Sequence, residues 1–424
     1  MTRQLHAPWL VTPSTQAVFA ALEGGGFSAR AVGGIVRNTL LGLPATDIDI
    51  ATTAPPDETV RLAAGAGLKT IPTGLAHGTV TVIAHGVPYE VTTLRRDVAT
   101  DGRHAEVAFT RDWAEDARRR DFTINALYCD RDGQLFDPLG GAADLAPVKI
   151  RFIGIAHERI REDYLRILRF FRFTATYSRD GALDPHGLAA CSHLSAQLAQ
   201  ISGERIQGEL FKLLGAPHAV GVSRALVDSG VFGALFPAGP MDLEICADWA
   251  ALAKLVVIEA HLGLPPDPVL RLAALAVTDE RSVARLDQRL KLSARDRQRL
   301  MAASRACAGL SLEMNEQQAQ AAAYRLGPAA YFDAVALAWS RSMLPAGDAA
   351  CRQIATLSQR WQAPVFPLTG GDALSLGIAP GPKLGALLAR IEAEWIAGGF
   401  NPSKDALIER LERMHSEPAD QPKS

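Results

Sequence analysis

The spacing of apolar and polar residues changes character near residue 155. Before that point short β-rich runs alternate with turns; beyond it apolar residues recur at helical intervals. Arg30–Val32 reads as a short strand that enters a Gly33-Gly34 turn. Asp47–Thr52 alternates polar and apolar positions, as a strand with one buried face does. Gly78–Ala84 and Tyr89–Leu94 are two further β-rich runs, and His85-Gly86-Val87-Pro88 between them predicts a hairpin. A helix is expected over Asp57–Ala66, just behind Pro55-Pro56. Strands and helix mixed in this order predict a small α+β domain with a mostly antiparallel or mixed sheet.

The helical part is predicted as His157–Thr176, Glu204–Leu214, Met241–Leu262, Val269–Val277, Ser282–Leu292 and Ala294–Ala308. It continues with Glu316–Leu326, Ala329–Ser342, Ala349–Trp361 and Lys383–Ala397, the last behind Pro382, where a helix start tolerates proline. Asp267-Pro268 and Asn401-Pro402-Ser403 mark breaks, and Ser416–Ser424 is polar enough to predict a frayed tail.

A chain of 424 residues suggests two to four domains. Its 48% apolar and 21% charged residues are those of a globular protein with a sizeable core. A formal net charge of −2 makes the whole chain a poor polyelectrolyte binder, so contact with nucleic acid must come from local patches. Arg118, Arg119 and Arg120 form one candidate, and Arg159, Arg161, Arg166, Arg169 and Arg172 another; taken alone, either is better read as a solvated helix face. Five widely spaced cysteines without a CxxC pair argue against a disulfide framework or zinc site and suit a reducing cytoplasm. No signal peptide is expected at the N-terminus, and the most apolar stretches are too short and too interrupted by charge to span a membrane.

The first candidate for chemistry is Gly33-Gly34-Ile35-Val36-Arg37, followed by Asp47-Ile48-Asp49. Glycines after a strand let backbone N–H groups approach a phosphate, and a guanidinium pairs with phosphate oxygens bidentately. On one strand Asp47 and Asp49 would share a face, where their repulsion calls for a cation; hard oxygen ligands suit Mg²⁺. Glu90 either completes such a site, if its strand neighbours Asp47–Ile50, or pairs with Arg95 or Arg96.

With these residues the sequence resembles a known family, the class II tRNA CCA-adding enzymes and bacterial poly(A) polymerases of the polymerase-β-like nucleotidyltransferase superfamily. The resemblance runs from about Ala29 to Leu214. Gly33–Thr52, GGIVRNTLLGLPATDIDIAT, is similar to the catalytic motif; Arg119–Leu127, RRDFTINAL, to a ribose- and triphosphate-binding motif; Asp137–Leu145, DPLGGAADL, to a hinge between head and neck. Glu162–Phe173, EDYLRILRFFRF, resembles the nucleotide-selecting helix, and Glu204–Leu214 the motif that braces the neck. Asn38 departs from the Asp that often follows the Arg. The chain resembles bacterial members without an HD domain: Leu270–Val277 runs into Thr278-Asp279 with no His-Asp pair, so no such metal site is expected.

The resemblance implies a catalytic head over 1–145, a neck over 146–215, a tRNA-binding body and tail over 216–415 and a disordered tail over 416–424. It implies addition of CCA to the 3′ end of tRNA from CTP and ATP, with Mg²⁺ at Asp47 and Asp49 in a two-metal transfer, helped by Glu90. Gly33, Gly34, Arg37, Arg120, Asp121 and Asn125 would hold sugar and phosphates. Asp163 and Arg166 would choose the base, and Arg169 and Arg172 would position base or triphosphate unless they instead form salt bridges with the helix's own acids or support the neck. The geometry expected is a continuous helix, which puts Asp163 and Arg166 on one face. There a carboxylate accepts from the exocyclic amine of cytosine or adenine while a guanidinium donates to the ring nitrogen. Leu94–Ala117, including Asp101-Gly102-Arg103, matches the family's flexible loop, whose presence favours full CCA addition. The alternatives are a poly(A) polymerase, a CC- or A-adding enzyme, or a non-catalytic RNA-binding homologue.

Overall fold

The structure is a computed structural model that describes residues 4–45, 47–100, 105–237, 245 and 247–416, with backbone alone for 97–100 and 105–107. The chain divides into two compact units, Met1–Ala247 with Leu286–Leu292, and Asp248–Arg285 with Ser293–Ser424.

The first unit opens with α1 (Pro13–Gly24), β1 (Ala29–Val32), α2 (Gly34–Leu40), β2 (Asp49–Thr52), α3 (Pro56–Gly65), β3 (Lys69–Gly74), β4 (Thr79–Ala84) and β5 (Val87–Thr93). It continues through β6 (Arg95–Thr100), β7 (Ala105–Phe109), α4 (Trp113–Arg118), β8 (Tyr128–Cys129), β9 (Leu135–Phe136) and α5 (Ala142–Leu145). Seven strands form one sheet in the order β3-β4-β5-β2-β1-β8-β9. Its central β2–β5 pair is parallel and the rest are antiparallel, so the sheet is mixed as expected. The β4–β5 hairpin turns on His85 and Gly86, both at positive φ, the backbone of a tight turn that follows the strands' own twist. α1 and α3 pack on this sheet and bury Val18, Phe19, Leu22 and Ala63. A second cluster, Val32, Ala51, Leu94, Ala117, Ala126, Tyr128 and Ile153, seats α4 and the RRDFTINAL segment against the sheet.

Helices follow: α6 (Ala156–Glu162), α7 (Arg166–Tyr177), α8 (Pro185–His193), α9 (Gly203–Leu214), α10 (Ala219–Asp228) and α11 (Val231–Leu235). The helix expected over 157–176 is therefore two helices. Asp163 ends α6 in an extended conformation, and its Oδ1 accepts from Leu165 N at 3.1 Å. Such a local side-chain bond competes with helix continuation. Downstream of the break α7 keeps a clean division of faces: Ile167, Leu168, Phe170, Phe171 and Thr174 are buried, while Arg166, Arg169 and Arg172 fall at steps of three. Phe122 meets Phe152 and Phe173 with ring centroids 5.0 Å apart, and Phe152 stacks on Phe170 at 5.4 Å. This aromatic group fixes the RRDFTINAL segment against α7, and burying a Phe side chain contributes about 1.5–3 kcal/mol.

The second unit is helical: α12 (Trp249–His261), α13 (Pro268–Ala276), α14 (Glu280–Leu290), α15 (Ala294–Ala308), α16 (Glu316–Leu326) and α17 (Pro328–Arg341). α18 (Ala349–Ala355), α19 (Leu357–Arg360), α20 (Gly370–Ser375), α21 (Pro382–Ala397) and α22 (Lys404–Ser416) complete it, with the end of α14 counted in the first unit. Asp267-Pro268 starts α13: the Asp267 carboxylate accepts from Val269 N and Leu270 N, and Pro268 takes the first helical position. The single helix expected over Ala349–Trp361 is two short ones, and α20 and α22 were not foreseen. Of the expected Met241–Leu262 helix, 249–261 is helical; 241–244 and 246 lie outside the described residues, as do 417–424 of the expected tail. No described helix is long and apolar enough to cross a membrane.

Candidate active site

One cavity of about 380 Å³ in the first unit is lined by Gly33, Gly34, Arg37, Asp49, Arg119, Arg120, Asp121, Asn125, Asp163, Leu165, Arg166, Arg169 and Arg205. Most of the residues singled out from sequence converge there. Asp47, Glu90 and Arg172 are not among its lining, while Arg119 and Arg205 are and had been given no individual role. The consecutive arginines 118–120 carried the signal for the first; for the second it was the arginine of the neck-bracing motif.

The acidic edge is built by the sheet. Asp49 opens β2 and is in register with Glu90 of the parallel strand β5, so the two side chains share a face. Asp47 lies outside the strand, exposed, so strand alternation does not align it with Asp49 as expected. Burial, then Glu90, and after an opposing pull from Arg120 also Asp47, raise the Asp49 carboxyl from 3.8 to about 6. Such crowding of like charge is what a divalent cation relieves, and the oxygen donors suit a hard ion. Among the described residues no three acidic, His or Cys side chains form a ready-made cage.

The floor is a chain of polar contacts. Arg37 Nη1 donates to Asn125 Oδ1 at 2.5 Å, and Asn125 Nδ2 donates to Asp121 Oδ1 at 2.9 Å. Asp121 Oδ2 accepts from Nε and Nη2 of Arg169 at 2.7 and 2.5 Å. Burial pushes the Asp121 carboxyl up, but Arg169 and Asn125 outweigh it and hold the group ionised below the usual carboxylate range. Arg172 pairs with Glu209 of α9 at 2.5 Å and lies 4.2 Å over the Phe173 ring. The structure thus gives Arg172 the neck-supporting alternative weighed from sequence, through an acid of α9 and not of its own helix.

Asp116 of α4 anchors the roof. Its carboxylate pairs with Arg119 at 2.8 Å and Arg120 at 3.1 Å and accepts from the Tyr128 hydroxyl at 2.8 Å. It also accepts from the backbone N–H of Arg95, the first residue of β6. Burial opposes ionisation, yet Arg120 and Arg119 bring Asp116 down to about 2. The expected loop over Leu94–Ala117 is in fact a β6–β7 hairpin followed by α4, although Asp101-Gly102-Arg103 lies outside the described residues.

Asp163 and Arg166 stand at the α6–α7 break and not on one helix. Asp163 Oδ2 accepts from Arg205 of α9 at 2.7 Å. Arg166 pairs with Glu162 at 2.5 Å and donates to the backbone carbonyls of Arg159 and Arg119. The break does what the continuous helix was invoked to do: both groups line one cavity. Gly33 sits at φ 71°, which favours glycine, but its N–H is taken by Leu127 O at 3.2 Å and is engaged within the fold.

Residues 29–151 match the family described as "Poly A polymerase head domain", and 182–241 the one described as "Probable RNA and SrmB- binding site of polymerase A". The chain is 37% identical to the mouse mitochondrial CCA tRNA nucleotidyltransferase 1 over 397 residues, 91% of this chain and 86% of that relative. The chain belongs to the CCA tRNA nucleotidyltransferase family. It is 31% identical to the CCA-adding enzyme of Levilactobacillus brevis over 404 residues, 92% of this chain and 95% of that enzyme. The crystal structure of the Bacillus stearothermophilus CCA-adding enzyme in complex with CTP superposes with a TM-score of 0.73 at 28% identity, covering 96% of this chain and 98% of that one. The class II nucleotidyltransferase fold and a transferase activity of this family follow, and the family's chemistry implies a divalent metal.

Proposed function

We propose that this cavity adds CCA to the 3′ end of tRNA without a template, taking CTP twice and then ATP and releasing pyrophosphate. The observation that carries the proposal is the meeting of Asp49, the RRDFTINAL segment and the Asp163–Arg166 turn at one cavity. In this reading the head is 1–145, the neck 146–215 and the tRNA-gripping body and tail 216–415. The metal is Mg²⁺, held by Asp49 and Asp47 with Glu90 beside them; bound there, it supplies charge neutralisation at the attacking hydroxyl and the triphosphate.

The residues supply position. Arg120 and Arg119, held by Asp116, donate to triphosphate oxygens, and Arg37 and Arg169 extend the cationic floor. Asp121 and Asn125 accept from and donate to the ribose. Asp163 and Arg166 read the base: a carboxylate beside a guanidinium matches the amine and ring nitrogen of cytosine or adenine, whereas uracil and guanine offer a carbonyl to the carboxylate. Their pairs with Arg205 and Glu162 hold both groups in place before the nucleotide arrives. A cytoplasmic location belongs to the same proposal and is supported by the free thiols of Cys129, Cys191, Cys307 and Cys351.

The test is product length on tRNA lacking CCA, with Mg²⁺ and CTP, ATP or both. Two additions with CTP alone and a third only with both nucleotides are expected. A long ladder with ATP alone would make the protein a poly(A) polymerase, and no extension with any mixture would make it a non-catalytic RNA binder.

A further inference from the structure

Arg37 is 5% exposed, yet every acceptor it reaches is neutral. Its Nε and Nη2 donate to Asn38 Oδ1 at 3.1 and 2.8 Å, Nη2 also to the Tyr177 hydroxyl at 2.6 Å, and Nη1 to Asn125 Oδ1 at 2.5 Å. Each other arginine lining the cavity has a carboxylate: Arg119 and Arg120 share Asp116, Arg166 has Glu162, Arg169 has Asp121 and Arg205 has Asp163. Among the described residues Arg37 has none at ion-pair distance. Three guanidiniums of the floor, Arg37, Arg169 and Arg172, face two carboxylates, Asp121 and Glu209, which leaves one positive charge in excess. A buried guanidinium without a counter-charge is costly unless a ligand supplies one.

Asn38 is what keeps the excess in place. Its Nδ2 donates to the Pro44 carbonyl at 3.2 Å, so its amide is oriented with Oδ1 toward Arg37. An aspartate would cancel the Arg37 charge and set an oxygen against the Pro44 carbonyl. We propose that Asn38 is an affinity-determining residue: it holds Arg37 in the cavity wall with its charge uncancelled, so that the counter-ion is a phosphate of the incoming nucleotide's triphosphate. The inference rests on the reading of this cavity as a nucleotide site.

The probe is inorganic triphosphate, titrated calorimetrically into the full chain in metal-free buffer over a series of salt concentrations. Asn38→Asp is expected to weaken binding about tenfold by cancelling one charge. Asn38→Ala, which loses both the Oδ1 acceptor of Arg37 and the Pro44 tether but adds no charge, is expected to weaken binding less than Asn38→Asp does. Arg37→Gln is expected to weaken binding as Asn38→Asp does and to flatten the salt dependence by about one charge. Equal weakening by Asn38→Ala and Asn38→Asp, or wild-type binding by Asn38→Asp, overturns the proposal. Should Asn38→Asp fail to fold, wild-type affinity in Arg37→Gln overturns it, whereas a larger loss in Arg37→Gln than in Asn38→Ala upholds it. A wild-type chain that binds no triphosphate instead removes the nucleotide-site reading itself.

Discussion

Asp49 carries the sharpest single-residue consequence. Its carboxyl titrates near 6 in the folded chain against 3.8 for an ordinary aspartate, because burial and Glu90 disfavour its charge. The folded state therefore holds this proton more tightly than the unfolded state, and stability falls as pH rises from about 4 through 6. Asp49→Asn removes the penalty: without metal it should gain about 1–3 kcal/mol in urea unfolding at pH 8, and little at pH 4. Added Mg²⁺ should stabilise wild type at pH 8, stabilise it less at pH 5, and leave Asp49→Asn unmoved. Asp116 works in the opposite sense. Its carboxyl lies near 2, so its contribution is present above about pH 4 and is lost as pH falls toward 2. Asp116→Asn should cost about 3–5 kcal/mol at pH 7, since Arg119 and Arg120 lose their shared counter-charge.

At the scale of elements the site depends on the joint between the RRDFTINAL segment and α7. Phe170→Ala opens a cavity under that joint and should cost about 3–5 kcal/mol by urea unfolding, with weaker nucleotide binding because Asp121 and Arg169 lose their shared seat. The sequence made β1, β2, α3, β4, β5, α9 and most helices from α12 on legible; α1, α2, α8, α10 and α11 were not foreseen. α15 and α16 were bounded to the residue, where Ser293 and Asn315 cap their N-termini and Gly309 and Gly327 follow their ends. The α6–α7 break was not read, because apolar spacing runs on across it without Pro or Gly. The available sign was Asp163 itself, a short carboxylate prone to bonding its own backbone in mid-pattern. The β6–β7 hairpin escaped for a related reason: its strands pair with each other and not with the seven-stranded sheet, and Arg95–Thr100 carries no strict apolar alternation. In the site, motif residues were legible because chemistry constrains them, Glu209 of the neck-bracing motif among them; Asp116, which holds Arg119 and Arg120 from three and four residues away, was not, since a lone acid beside arginines reads as any solvated helix pair.

At the scale of the whole molecule, the chain's negative formal charge and its cationic cavity are reconciled by locality: most arginines of the cavity are matched by carboxylates, and the excess is small and placed. Binding of CTP or ATP to the folded chain alone should raise its thermal midpoint, by about 2.7 kcal/mol of stability at a hundredfold excess over Kd. Both nucleotides should compete for one site. The central claim is that protein side chains, in place of a template, choose the base. The measurement is kcat/KM for CTP and for UTP on tRNA lacking CCA, in wild type and in Asp163→Ala. The account predicts that wild type prefers CTP and that Asp163→Ala loses about 5- to 150-fold of that preference, the worth of one paired base contact. An Asp163→Ala enzyme that discriminates as wild type does would contradict it.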